Sequence, residues 1–285
     1  IKHFQMPIEK KPMFHFKPGS TAYSIATMGC NFKCRFCQNS DIAQIPGGQK
    51  ERIQGRQISP RAIVDQALAS GCQSIAYTYT EPSVFFELAY ETAKLAKENK
   101  LANIFVTNGY MSADLVHLVA PFLDGANVDL KAFDDRFYQT YCQARLEPVK
   151  NTLKLMKKAG ILVEVTTLLI PGLNDDPGEL TRLARFIAQD LGCDTPWHIS
   201  RFHPSHKMTD IGATPVSALE RAFEIGQQAG LYHVYTGNAP GLASENTHCH
   251  HCGTLVVNRH GYAIKNYLKE KGACPQCDTP VFGIY

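Results

Sequence analysis

Ser74-Ile75-Ala76-Tyr77-Thr78-Tyr79-Thr80-Glu81-Pro82 is the stretch on which the fold turns. Its opening, Ser74–Tyr79, is a short apolar and aromatic run that reads as a buried strand. Pro82 cannot continue such a strand, yet its fixed φ suits the first position of a helix, so the chain changes character at Glu81. Helical spacing from Val84 and Leu88 to Leu95 completes one strand-to-helix unit. The unit recurs. Ala22–Ala26, Asn103–Val106, Ala126–Leu130, Leu162–Leu169, Trp197–Ser200 and Tyr232–Tyr235 are further strand-like runs, with amphipathic stretches such as Leu153–Met156 between them. Ser59-Pro60 opens a helix over Arg61–Ser70, and Gly71, Gly160 and Gly230 stand where helices end in a left-handed residue.

Strand alternating with helix six or seven times implies parallel βαβ units of one hand, curling round a common axis. The expectation is an α/β fold, a partial or complete TIM-type (β/α) barrel of parallel strands with a small C-terminal Cys-rich metal-binding module. No Gly-x-Gly-x-x-Gly follows a strand, which argues against a dinucleotide fold. Residues 1–20, rich in Lys, Pro and His, read as an irregular lead-in. Residues 21–244 form the barrel, and residues 245–285, where the rhythm stops, form the module.

At 285 residues, 44% apolar and 19% charged, the chain suits an ordinary globular protein with a substantial core. A net charge of +3 is too mild to argue for nucleic acid or an anionic membrane surface. No apolar run approaches the ~20 residues that span a bilayer, and no signal-peptide pattern precedes the first strand. The expectation is a cytoplasmic protein with neither nucleic acid nor membrane as partner.

Seven of the ten cysteines are clustered, which in a chain without a secretory signal reads as metal ligation rather than disulfides. Cys30, Cys34 and Cys37 form a C-x3-C-x2-C loop within Met28–Asn39. Three thiolates leave one coordination position without protein, and an open position is where chemistry occurs. The loop suits a [4Fe-4S] cluster with one iron free for a small molecule. Spacing alone also allows a zinc site completed by a distant His, or three unrelated thiols. Cys249-x-x-Cys252 and Cys274-x-x-Cys277 bring four thiolates together, the closed arrangement of structural Zn2+. A rubredoxin-like single iron or an auxiliary cluster is the alternative there, and the ion would supply much of the module's stability. His248, His250 and His251 are surplus and solvent-facing on this reading, while the isolated Cys72, Cys142 and Cys193 read as small buried hydrophobes.

Chemistry in a βα barrel belongs at the C-terminal strand ends. There lie the cysteine loop, Thr80-Glu81-Pro82, Thr107-Asn108-Gly109-Tyr110, Asp129-Leu130-Lys131, Pro171–Asp175, Arg201-Phe202-His203-Pro204 and Thr236-Gly237-Asn238.

Together these elements resemble the radical S-adenosylmethionine (SAM) superfamily over residues 20–240. The cysteine loop, with Phe36 before its last Cys, matches the defining motif, and Thr80-Glu81-Pro82 is similar to the superfamily's Gly-Gly-Glu-Pro element. The ordered TNG, DLK and PG-x-ND elements resemble the pyruvate formate-lyase activating enzyme group. Pro7-Ile-Glu-Lys-Lys-Pro12, Thr78–Pro82, Trp197–Phe202 and the Cys-paired tail look like the AmmeMemoRadiSam-system radical SAM enzymes.

The resemblance implies an oxidoreductase-type enzyme. Cys30, Cys34 and Cys37 would hold three irons, and SAM would chelate the fourth. Reductive cleavage would release methionine and a 5′-deoxyadenosyl radical that abstracts hydrogen from a substrate, small molecule or protein. Thr80 and Glu81 would bind SAM near its amino group, Thr107 and Asn108 its polar groups, and Asp129 and Lys131 its ribose or carboxylate. His203 falls where that group places a SAM-proximal His, although a barrel-end His is more often structural; His198 would face the substrate. The resemblance further implies a reductant such as flavodoxin or ferredoxin, and a link to AMMECR1-type and Memo-type proteins. Lys33 and Arg35 would either moderate the cluster's charge or be solvated.

Two departures bear on the activity. Activases of the pyruvate formate-lyase type carry Asp where Val106 stands, and Arg near Thr166 or Thr167. Both count against the second reading, a glycyl-radical-enzyme activase acting on a protein, which the knuckle module favours as a polypeptide grip. The third reading is a non-catalytic metal-binding interaction protein.

Overall fold

The computed structural model describes residues 2–44, 55–239 and 243–285. One eight-stranded sheet runs in sequence order: β1 (Lys2–Pro7), β2 (Thr21–Ala26), β3 (Ser74–Tyr77), β4 (Ala102–Thr107), β5 (Gly125–Asp129), β6 (Leu162–Leu169), β7 (Trp197–Arg201) and β8 (Val234–Gly237). β2 to β8 are parallel; β1 is antiparallel to β2, with Phe4 opposite Ser24 and Pro7 opposite Thr21. The pairing order ends at β1 and β8, and no pairing joins those two edges among the described residues.

Helices lie between the strands: α1 (Ser40–Ala43), α2 (Pro60–Ala69), α3 (Phe86–Glu98), α4 (Ala113–Val119), α5 (Asp135–Phe137), α6 (Leu146–Lys158), α7 (Pro177–Phe186) and α8 (Val216–Gln228). Ser59 and Asp176 cap α2 and α7 by accepting from Ala62 N and Glu179 N, each ahead of a Pro at the first helical position. The larger core lies between sheet and helices, where Ile25, Tyr77, Phe105, Val165 and Trp197 meet Val64, Ala93, Leu153 and Leu183. On the opposite, inner face Ala22, Ala76, Ile104 and Leu162 pack against Ile8, Met13 and Phe16. The alternation of strand side chains makes these two faces distinct.

Three expectations change. The lead-in is not irregular: Lys2–Pro7 is an edge strand, ended by a Pro that has no N–H to give a further neighbour. The run read as Ser74–Tyr79 stops at Tyr77, because Tyr79 adopts φ 66° and cannot continue the ladder. The last strand is displaced from Tyr232–Tyr235 to Val234–Gly237, leaving the Tyr232 ring exposed and stacked on His250 at 4.5 Å.

Residues 247–266 form a second, antiparallel sheet of β9 (Thr247–His248), β10 (Leu255–His260) and β11 (Ala263–Asn266). It docks on the segment after β1. The Arg259 guanidinium donates to Phe14 O (2.7 Å) and Thr247 Oγ1 (2.7 Å) and lies 4.2 Å from the Phe14 ring. Ile284 N donates to His15 O, and Lys17 N to Ile284 O. His15 Nδ1 lies 2.6 Å from Phe282 O, and its Nε2 2.6 Å from the Tyr235 hydroxyl. Beneath them the fully buried Glu164 accepts from Phe14 N, His15 N and His198 Nε2 at 3.0, 2.8 and 2.6 Å. This polar knot sits at the N-terminal ends of β6, β7 and β8. Among the described residues no helix is long and apolar enough to cross a membrane.

Candidate active site

The cysteine loop leaves β2 and alternates exposed with buried residues from Asn31 to Phe36, so that Phe32, Cys34 and Phe36 turn inward while Lys33 and Arg35 face solvent. Backbone bonds hold it from two sides. Lys33 N and Arg35 N donate to Cys142 O and Tyr141 O of the π-helical turn Tyr138–Cys142, both at 2.9 Å. Lys207 N donates to Arg35 O, and the Ser205 hydroxyl to Cys37 O. A loop of three thiols is thereby pinned without any regular element of its own.

Glu81 organises the neighbouring strand ends. Its carboxylate, 1% exposed, accepts from Thr107 Oγ1 (2.8 Å), Ser83 Oγ (2.9 Å), Ser83 N (3.2 Å) and Asn108 N (2.8 Å). Burial raises its pKa, and these four donors pull against that. Thr80 Oγ1 donates to Thr27 O, tying the same turn to the root of the cysteine loop. Asn108 carries the connection onward: its Nδ2 donates to Asn31 Oδ1 at 2.7 Å and stands 3.7 Å from Cys30 Sγ. Gly109 follows at φ 71°, where a Cβ would stand 2.8 Å from Val128 Cγ1, so the turn needs glycine.

Lys131 supplies the buried cation of the site. Its Nζ donates to Asp129 Oδ2 at 2.7 Å and lies 5.9 Å from the Phe36 ring. Burial works against its charge, but Asp129, Cys34 and Cys142 outweigh that and hold its pKa well above the ordinary lysine value. Asn174 fixes the backbone beneath it, donating to Lys131 O and Leu168 O. The cation beside the thiols is therefore Lys131, not Lys33 or Arg35.

Each loop thiol resists ionisation. Burial, then Glu81 and Cys34, push Cys30 up to about 11; burial, then Cys34, raise Cys37. For Cys34 the first cause is the Cys142 thiol beside it, followed by burial. A metal centre bound here would have to offset these costs by its own positive charge, with Lys131 adding to it.

His203 follows β7 at the same end of the sheet, exposed and without a hydrogen-bond partner among the described residues. His198 is elsewhere, bound to Glu164 in the knot at the opposite strand ends. Its expected place against the substrate is corrected: as the second residue of β7 it lies too near the strand's start. Ser83, Tyr138 and Cys142 belong to the site but lie outside any spaced motif, and Asn31 is one of the unspecified positions between Cys30 and Cys34, so none of the four is singled out by the sequence.

In the module, Cys249, Cys252, Cys274 and Cys277 hold their sulfurs within 4.8 Å of one another. The Cys249–Cys277 and Cys252–Cys274 separations are both 3.7 Å. A tetrahedral ion with ~2.3 Å metal–sulfur bonds needs sulfurs ~3.8 Å apart. The four cysteines can hold a metal ion.

Residues 24–184 match the radical SAM superfamily. The chain belongs to that superfamily. It is 44% identical over 277 residues to the uncharacterized protein MJ0808 of Methanocaldococcus jannaschii, covering 96% of this chain and 81% of that one. It is also 22% identical over 162 residues to the pyruvate formate-lyase-activating enzyme of Clostridium pasteurianum, covering 56% and 66% of the two chains. In fold it is similar to a radical SAM methyltransferase from Sphaerobacter thermophilus, with a TM-score of 0.61, 18% identity, and 84% of this chain and 71% of that one covered.

Proposed function

We propose that the protein is a radical SAM enzyme in which Cys30, Cys34 and Cys37 hold a [4Fe-4S] cluster on a partial (β/α) barrel. The observation that carries this reading is the unbroken chain from Glu81 through Asn108 and Asn31 to Cys30. It sets polar groups for an amino-acid ligand directly beside an incomplete ligand set. Once bound, the cluster and SAM supply reductive cleavage of the sulfonium and a 5′-deoxyadenosyl radical.

The chain's own part is to orient and to exclude water. Thr80, Glu81, Thr107 and Asn108 receive the SAM amino end. Asp129 and Lys131 meet its ribose and carboxylate, and His203 closes that side. Lys131 offsets the negative charge gathered at the thiolates. Phe32 and Phe36, both under 5% exposed, keep solvent from the loop's inner side. The module carries Zn2+, a flavodoxin or ferredoxin delivers the electron, and the organisation as a whole is that of the AmmeMemoRadiSam-system enzymes, with AMMECR1-type and Memo-type proteins as functional partners.

The test is anaerobic reconstitution with iron and sulfide, reduction, addition of SAM and assay for 5′-deoxyadenosine. Cluster absorbance together with deoxyadenosine supports the reading; absence of both sinks it. Cys34→Ala is expected to remove both and leave the metal of the module in place. Similarity to an activating enzyme favours a second reading, glycyl-radical activation. Val106 and the Thr166/Thr167 pair stand against it, and a search for a glycyl radical on a candidate protein by paramagnetic resonance decides.

A further inference from the structure

The inner face of the sheet carries a lysine that no carboxylate neutralises. Lys11 follows the 3-10 turn Ile8–Lys10 and is 2% exposed. Its Nζ donates to the Tyr79 hydroxyl at 2.9 Å and lies 4.2 Å from the centroid of that ring. Among the described residues no Asp or Glu forms an ion pair with it. Buried lysines are rare without a paired charge, so a phenol as sole partner needs an explanation.

Tyr79 is held in an unusual way. Its left-handed φ of 66° is strained for a bulky residue, and such strain gathers at ligand sites. The ring packs edge-on against Phe4 of β1 at 6.2 Å, above Ser24, the register partner of Phe4. Ser24 is fully buried, and its hydroxyl faces the Tyr79 phenol. An amine, a phenol and a serine hydroxyl therefore converge on the inner face, and Tyr79 stands two residues before Glu81.

The electrostatics suit a nucleophile. Burial, with Lys10 adding to it, lowers the Lys11 amine to about 7. About half of it is then neutral near pH 7, against well under a hundredth of an ordinary lysine. Burial raises the Tyr79 phenol, which keeps its proton available to give.

We propose that Lys11 anchors the substrate, condensing with an aldehyde or ketone carbonyl to form an imine, with Tyr79 as the proton carrier. The Nζ lone pair forms the C–N bond as the carbonyl π bond opens. Tyr79 passes its proton to the oxygen and recovers one from nitrogen. Both amine hydrogens leave with the carbonyl oxygen as water, and no oxidant or reductant is consumed. The substrate class is a carbonyl compound with a C–H beside the carbonyl, the bond from which a hydrogen atom is most readily taken once the imine has formed. This last step rests on the radical SAM reading; the condensation does not.

The experiment uses the full chain, reconstituted anaerobically, with pyruvate and cyanoborohydride at pH 7 and no SAM, followed by peptide mass mapping. Lys11 is expected to carry the reduced pyruvyl group ~tenfold or more above the exposed Lys10. Labelling of Lys11 no greater than that of Lys10 overturns the proposal. Tyr79→Phe is expected to slow trapping ~tenfold or more, and an unchanged rate overturns the role of the phenol. Lys10→Arg keeps the Lys11 adduct and Lys11→Arg loses it; should the latter not fold, the unmodified chain's peptide map still decides. Deoxyadenosine formation without Lys11 trapping defeats this proposal alone, whereas trapping without deoxyadenosine supports it and defeats only the radical reading.

Discussion

Glu81 answers to four donors at once, and that fixes what its removal costs. Glu81→Ala leaves Thr107 Oγ1 and Asn108 N without their acceptor in a site that is 1% exposed. A loss of ~2–4 kcal/mol is expected in denaturant unfolding, since buried donors stripped of an acceptor each cost 1–3. Glu81→Gln keeps an acceptor at one oxygen, so its stability falls less while SAM affinity still drops ~tenfold or more, read by equilibrium binding. If both variants bind SAM as the parent does, Glu81 is a structural brace only. At this scale sequence was a partial guide. The strand-end positions of Glu81 and Asn108 were legible because Pro82 and Gly109 punctuate them, and that of Asp129 because it closes an apolar run. Lys11 was not, because whether a lone Lys turns inward depends on packing by residues far away in the chain; Cys142 was read as a small buried hydrophobe and is one, but its place beside Cys34 was not legible. His198 was misjudged because the sequence did not fix where along β7 it falls: it stands at the strand's start, bound to Glu164 of β6.

At the scale of elements, the cysteine loop owes its shape to pieces it does not contain. The turn after β4 is one of them. Gly109→Ala meets Val128 Cγ1 at 2.8 Å and Val149 Cγ1 at 3.1 Å while also straining a φ of 71°. A destabilisation of ~2–4 kcal/mol is expected, with reconstitution yield falling as Asn108 loses its hold on Asn31. An unchanged melting temperature together with full cluster content would show that the turn tolerates a side chain. The seven parallel strands were readable because buried strands are continuous apolar runs with helical spacing between them. β1 was not, because Lys2–Pro7 alternates polar and apolar residues and ends in Pro, features an edge strand shares with a loop. The four-thiol module was readable from its paired spacings, since two short knuckles leave little choice about which sulfurs meet.

For the whole molecule, the knot at the N-terminal ends of β6, β7 and β8, where the His233 ring lies 4.4 Å from that of His15, predicts how stability varies with pH. Burial lowers the pKa of His233 to about 3 and that of His15 well below its ordinary value. Their folded values lie below the unfolded value near 6.5, so the unfolded chain binds more protons as pH falls past 6.5. Stability is then lost on acidification, at up to ~1.4 kcal/mol per pH unit for each histidine between 6.5 and the folded pKa. Unfolding free energies at pH 7.5 and 5 measure this, and His233→Asn is expected to flatten the slope by one histidine's share. A slope that the substitution leaves unchanged would remove His233 from the account. Loading the four thiols of the module with Zn2+ and stripping it again acts at the same place. Chelation should release the tail from Phe14–Lys17, seen as faster amide exchange at Lys17 and Ile284, whose backbone groups pair there.

The pairing of His15 with Phe282 joins residues 267 positions apart, and Ile284 completes a ladder begun at residue 15. On the ribosome, then, the N-terminal end of the sheet stays unfinished until residue 284 has cleared the exit tunnel. Seven parallel strands must wait with their polar knot half built, and long-range closure of this kind is slow and exposes apolar surface while it is pending. Removing residues 282–285 would leave nearly every helix and strand intact in sequence. It would be expected to turn a folding chain into an aggregating one, because the lock could no longer engage.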